Sequence, residues 1–159
     1  MYTIGILERT GGLSAFLAAH LPQPLLEEAD LCPAGSLTTG EVLDLLVVSP
    51  DWTGEDRRVP PCRAMLIPGR LAHLAEGLTA AWAVSFGLSP KDTLTLSSME
   101  EDTLHLALQR EVISLTGERL DPQEFPLDRQ EHSKDLSVLT GTDESAPGTD
   151  AHLLTASSF

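Results

Sequence analysis

Aromatic residues make up only 4% of this sequence, and 10 basic residues face 24 acidic ones. The first scarcity leaves a core to be built mainly from Leu, Val, Ile and Ala. Such a core suits helices laid against a sheet better than a small, aromatic-rich β barrel. The second gives a formal charge of −14, which repels phosphate backbones, and no basic stripe offsets it. Composition therefore argues against nucleic acid and against anionic membranes as partners. It also serves solubility.

Cysteine is nearly missing as well. Cys32 and Cys62 have no C-x-x-C spacing and are too few for a disulfide framework, so both read as free thiols. The histidines His20, His73, His105, His132 and His152 contain no H-x-x-x-H pair that would set two imidazoles on one helical face. Neither a metal nor a cofactor is expected. No apolar run approaches a membrane span. Met1-Tyr2-Thr3-Ile4 enters a strand pattern without a basic leader or cleavage site, so the expected location is cytoplasmic.

What is present is enough apolar material, 42% of 159 residues, for one folded domain. Tyr2 to Leu7 reads as a strand, and Glu8 to Gly12 as the turn after it. Leu13, Phe16, Leu17 and Leu21 then recur at helical spacing, until Pro22 and Pro24 stop the helix. The stretch 25–40 has no clear period, although Thr38-Thr39-Gly40-Glu41 has the makings of a short helical cap. Leu43 to Ser49 and Arg63 to Ile67 read as buried strands separated by a polar loop. A helical stripe of Leu71, Leu74, Ala75 and Leu78 follows, then a strand from Trp82 to Phe86. Near-continuous apolar strands belong in a sheet covered on both faces.

After Gly87 the period changes to two. Residues 93–96 and 103–108 alternate around the polar turn Met99-Glu100-Glu101-Asp102, which predicts a β-hairpin. Val112 to Thr116 and Arg119 to Leu120 flank Gly117-Glu118 as a second turn. Pro122 and Pro126 are expected to end regular structure. The fold class that follows is α/β: a mainly parallel sheet flanked by helices, extended by antiparallel hairpins after residue 87. Residues 1–127 form the expected single domain, and 128–159 an acidic, Ser/Thr-rich tail.

The order of these elements resembles the central domain of the Mur ligases over about residues 2–127. In that family the first strand runs into a phosphate-binding turn T-G-T-x-G-K-T-T, and Ile6-Leu7-Glu8-Arg9-Thr10-Gly11-Gly12-Leu13-Ser14 occupies that place here. Val48-Ser49-Pro50-Asp51-Trp52 is similar to the family's N-I-S-P-D-H. The strand Ala64 to Gly69 sits where N-A-D-D is found, and Ala83 to Leu88 is similar to V-I-T-F-G-L.

The departures from the family decide the expected function. A phosphate loop works because free N–H groups at a helix start cradle the anion while a Lys reaches the outer phosphates. Gly12 stands at the lysine position and Leu13 at the following hydroxyl position. Glu8 replaces the first glycine and sets a carboxylate where phosphate would approach. Ile67-Pro68-Gly69-Arg70 replaces N-A-D-D. The resemblance thus implies a degenerate loop with no ATPase activity.

In open α/β sheets, ligands gather at the carboxyl ends of the strands. There the candidate ligand-binding residues are Gly11, Gly12, Ser14, Asp51, Trp52, Arg70 and Lys91, with Gln109 and Arg110 nearby. Trp52 reads either as an anchor for a partner or as a cap on the core. No catalytic residue is assigned: Ser97-Ser98 lacks a G-x-S-x-G elbow, and Glu100-Glu101-Asp102 reads as a solvated turn. The expected role is a non-catalytic binding or interaction module for a protein partner or small molecule. The alternatives are a small α/β enzyme acting on a metabolite at the strand ends, and a structural subunit of a complex.

Overall fold

The computed structural model describes residues 1–36, 40–55, 58–100 and 103–128. The tail, the Thr38-Thr39 cap and the tip of the first hairpin lie outside the described residues.

An eight-stranded mixed sheet carries the fold. Strand β1 (Tyr2–Leu7) leads into helix α1 (Gly12–His20), and a one-and-a-half-turn helix α2 (Gln23–Glu28) leads into β2 (Ala29–Pro33). Next come β3 (Leu43–Val48), β4 (Cys62–Pro68) and, after a 3-10 helix over Gly69–Gly77, β5 (Ala80–Gly87). Strands β6 (Leu94–Met99), β7 (Thr103–Leu108) and β10 (Gln123–Asp128) complete the sheet. A separate two-stranded ribbon pairs β8 (Val112–Ile113) with β9 (Arg119–Leu120). The sheet order is β10-β7-β6-β5-β4-β3-β1-β2. From β2 to β6 all neighbours are parallel, and β7 and β10 add antiparallel partners. This is the α/β class expected from the sequence, with few helices.

The strands with near-continuous apolar runs occupy the middle of the sheet, where β1, β3 and β4 are covered on both faces and β5 on one, with Ala81 and Ala83 exposed on the other. On one face Ile4, Ile6, Val47, Leu66, Val84 and Phe86 pack with Leu13, Phe16 and Leu17 of α1. On the other, Leu46, Val48, Met65 and Ile67 pack with Trp52 and Leu71. Burying a side chain such as Phe16 or Leu17, each under 10% exposed, stabilises the fold by about 1.5–3 kcal/mol. Beyond β5 the second face turns polar: Ser97 and Glu124 are exposed while Leu104, Leu106 and Leu108 face the core. In β7 this follows the expected alternation, whereas β6 shifts register between Leu96 and Ser98 and is exposed from Ser97 to Met99.

Three sequence expectations are corrected. Pro126 does not end regular structure: it pairs opposite His105 within β10. The strand lies at the sheet edge, where a missing N–H directed to solvent costs no ladder bond. Pro24 stops α1 but opens α2 within its first turn, where the lack of an N–H is harmless. The stripe Leu71, Leu74, Ala75 and Leu78 forms a 3-10 helix instead of an α-helix. With three residues per turn, Leu71 and Leu74 fall on one line, and both face the second core cluster.

Candidate functional site

The carboxyl ends of β1, β3, β4 and β5 come together on one edge of the sheet. The turn after β1 is built by Gly11, whose φ of 79° lies in the left-handed region and which caps α1. A side chain there would be strained, so glycine is needed for the conformation. Gly12 is the first residue of the helix. Ser14 turns back on the same turn, its hydroxyl donating to the Gly11 carbonyl at 3.2 Å.

A helix that starts on glycine leaves its first N–H groups without a side-chain cap of the usual kind. Glu8 supplies the missing acceptor from upstream. Its Oε2 receives the N–H of Leu13 at 2.8 Å and of Ser14 at 3.1 Å. The negative carboxylate also sits at the positive end of the helix dipole. The sequence places Glu8 in the way of a phosphate; the structure shows its carboxylate bonded to the N–H groups that a phosphate would use.

Asp51 completes the same turn from β3. Its carboxylate accepts the N–H of Arg9 at 3.2 Å, the N–H of Thr10 at 3.0 Å and the Thr10 hydroxyl at 2.7 Å. Burial alone would push the Asp51 carboxyl up. The opposing hydrogen bonds from Ser49, Thr10 and the Arg9 and Thr10 backbone together hold it below the ordinary carboxylate value. Two internal carboxylates therefore occupy N–H groups along the stretch from Arg9 to Ser14.

Trp52, next in sequence, is not displayed at the edge. It is 6% exposed and belongs to the second core cluster, with its indole N–H unpartnered among the described residues. Arg70 is exposed and reaches across the edge, donating from Nη2 to the Pro50 carbonyl at 2.8 Å. Lys91 stands farther along, in the turn after β5, where its own carbonyl accepts from Arg110 Nη2 at 3.2 Å. The edge thus unites Gly11, Gly12, Ser14, Asp51 and Arg70 through direct contacts or a shared neighbour. Lys91 joins them only through Asp92.

Asp92 is the residue that sequence reading passed over. It is buried, at 5% exposure, and its Oδ2 accepts the Ser89 N–H at 3.1 Å while its own N–H returns to the Ser89 carbonyl at 2.9 Å. Its carboxylate lies against the α-carbons of Gly69 and Gly87, where a Cβ would overlap it. The signal was present as Ser89-Pro90-Lys91-Asp92, an S-x-x-D pattern of the capping-box kind. In a loop it passes for ordinary solvated sequence.

Two concavities are lined by other described residues. A cavity of about 250 Å³ is lined by Trp52, His73, Leu74 and Glu76 beneath the 3-10 helix. A narrower apolar groove runs over Leu45, Ala64, Leu66 and Trp82, bounded by Ile113 and Leu115. Neither includes Arg70 or Lys91. Among the described residues no cluster of His, Cys, Asp and Glu is arranged to hold a metal ion, and no helix is long and apolar enough to cross a membrane. Comparison of the chain with protein-family models, with curated proteins and with solved structures gave no match.

Proposed function

We propose that this chain is a non-catalytic binding or interaction module on a Mur-ligase-like α/β frame, without ATPase activity. The observation that carries the reading is the double occupation of the turn after β1. Glu8 holds the N–H groups of Leu13 and Ser14, and Asp51 holds those of Arg9 and Thr10. A nucleotide phosphate needs such groups free, with a Lys beside them. Here it would have to displace two carboxylates, and Gly12 stands where the lysine would be.

The motif order from Ile6 to Leu88 supports the family resemblance, and the loss of lysine supports the loss of nucleotide chemistry. A small enzyme working at the strand ends would need a concavity with a reactive group there.

A thermal-shift titration tests the proposal, using ATP, ADP and UDP-linked peptidoglycan precursors with and without Mg²⁺. A ligand specific for the folded state raises stability by about 2.7 kcal/mol at a hundred times its dissociation constant. No shift with any nucleotide is expected. A Mg²⁺-dependent shift with micromolar ATP would overturn the reading.

A further inference from the structure

The strand-end edge has an unusual division of charge for so acidic a chain. Its carboxylates are engaged internally: the half-buried Glu8 and Asp51 are bonded to the N–H groups of the turn after β1, and Asp92 is buried on the Ser89 N–H. Its cations point outward. Arg9, Arg70, Lys91 and Arg110 are all exposed. The side chains of Arg9 and Lys91 make no hydrogen bond or ion pair among the described residues.

Contacts made largely by the backbone link these residues in turn. Asp51 accepts the Arg9 backbone N–H, and the neighbouring Pro50 carbonyl takes the Arg70 guanidinium. Gly69 abuts Asp92, and the Lys91 carbonyl takes Arg110. The pairing of Phe86 with Leu94 and of Leu94 with Leu108 brings the end of β7 level with the end of β5. Arg110 follows the oppositely directed β7 and meets this edge through its bond to the Lys91 carbonyl. Among the described acids nearby, Glu111 is paired with Arg119.

From this division of charge we propose that the edge is a docking surface for an extended acidic peptide segment of a partner protein. The inference rests on the interaction-module reading and names its partner. From β1 to β5 there are three strand steps of about 4.8 Å, roughly 14 Å in all. An extended peptide covers that span with about four residues at 3.3 Å each. A compact phosphate fits less well, because the converging N–H groups it would use are taken. A nucleic-acid strand fits less well too, since the edge offers no stacking platform: Trp52 is in the core. The net charge of −14 repels a polyanion at a distance, but that field is screened beyond about 8 Å at physiological salt.

Fluorescence anisotropy of a labelled octaglutamate peptide with the full chain provides the test. The peptide is expected to bind at about 0.15 M salt, where the net charge is screened, and to be released at about 0.5 M salt, where screening reaches contact range. The Arg9→Gln/Lys91→Gln double variant, which removes two unpaired cations, should weaken binding at least fivefold. The Arg63→Gln/Arg119→Gln variant changes net charge equally, on the paired cations Arg63 and Arg119, and should weaken it less than twofold. Absence of binding, equal losses in the two variants, or tighter binding of an oligothymidylate of matched charge would each overturn the proposal. Such a failure without any nucleotide shift leaves the module reading standing. A Mg²⁺-ATP shift sinks that reading whatever the peptide does.

Discussion

The carboxylate of Glu8 accepts the N–H of Leu13 at 2.8 Å, closing the start of α1 from five residues upstream. One side chain thereby does the work of an N-cap that Gly11 cannot do, and fills the place where an external anion would sit. Replacing Glu8 by Ala strips the Leu13 and Ser14 N–H groups of their acceptor. The loss expected for a helix cap is about 1 kcal/mol, a fall in melting temperature of roughly 2–4 °C. Thermal unfolding followed by circular dichroism measures it. An unchanged midpoint would mean that water serves those groups equally well.

Gly69 and Asp92 form a second dependent pair. A Cβ at position 69 would overlap the Asp92 carboxylate, so Gly69→Ala is expected to cost about 1–3 kcal/mol as overpacking. Removing the carboxylate with Asp92→Ala should relieve part of that cost. The double variant is then less destabilised than the two single losses summed, by at least about 0.5 kcal/mol. A urea-denaturation cycle reads this directly, and strict additivity would dismiss the contact.

How far these relations could be read in advance differs by element. The strands β1, β3 and β4 were legible because burial on both faces writes itself as an apolar run, and β5 because its exposed face carries small Ala81 and Ala83. The hairpin of β6 and β7 was legible because one solvated face writes itself as alternation. Strand β2 was not: Ala29 to Pro33 is a half-exposed edge strand, and Leu31 alone does not make a pattern. β10 was hidden by Pro126, which edge position renders harmless. At the site, Gly11 announced its turn and Glu8 announced an obstacle to phosphate. Nothing local announced that Asp92 is buried, because that depends on glycines at the ends of two other elements.

The two thiols should separate kinetically. Burial pushes the Cys62 thiol up to about 11, so at pH 8 only about one molecule in a thousand carries the thiolate that reacts. Cys32 is half-buried, and burial followed by Asp30 and Glu41 raises it as well. A disulfide reagent at pH 8 is expected to modify Cys32 slowly, and Cys62 only as the chain unfolds. In guanidinium both should react at once. Two rapid equivalents from the folded protein would contradict the packing of Cys62 at the start of β4.

The carboxylate of Asp51 sets the direction of the acid response. Burial works against its charge, but the hydrogen bonds from Ser49, Thr10 and Arg9 prevail and hold it below its ordinary value. A carboxyl lower in the folded than in the unfolded chain contributes stability that is complete above the unfolded value, about 3.9. That contribution is lost as pH falls through the folded value. Asp51→Asn has no such charge to lose. Its melting temperature should lie below that of the parent at pH 6, and the gap should narrow steadily between pH 4 and pH 2. The two curves cancel the contribution of every other acidic group, so their difference reports Asp51 alone. Parallel curves would mean that the Thr10 and Arg9 N–H groups do not favour the ionised form, and that the turn after β1 is held by shape instead of charge.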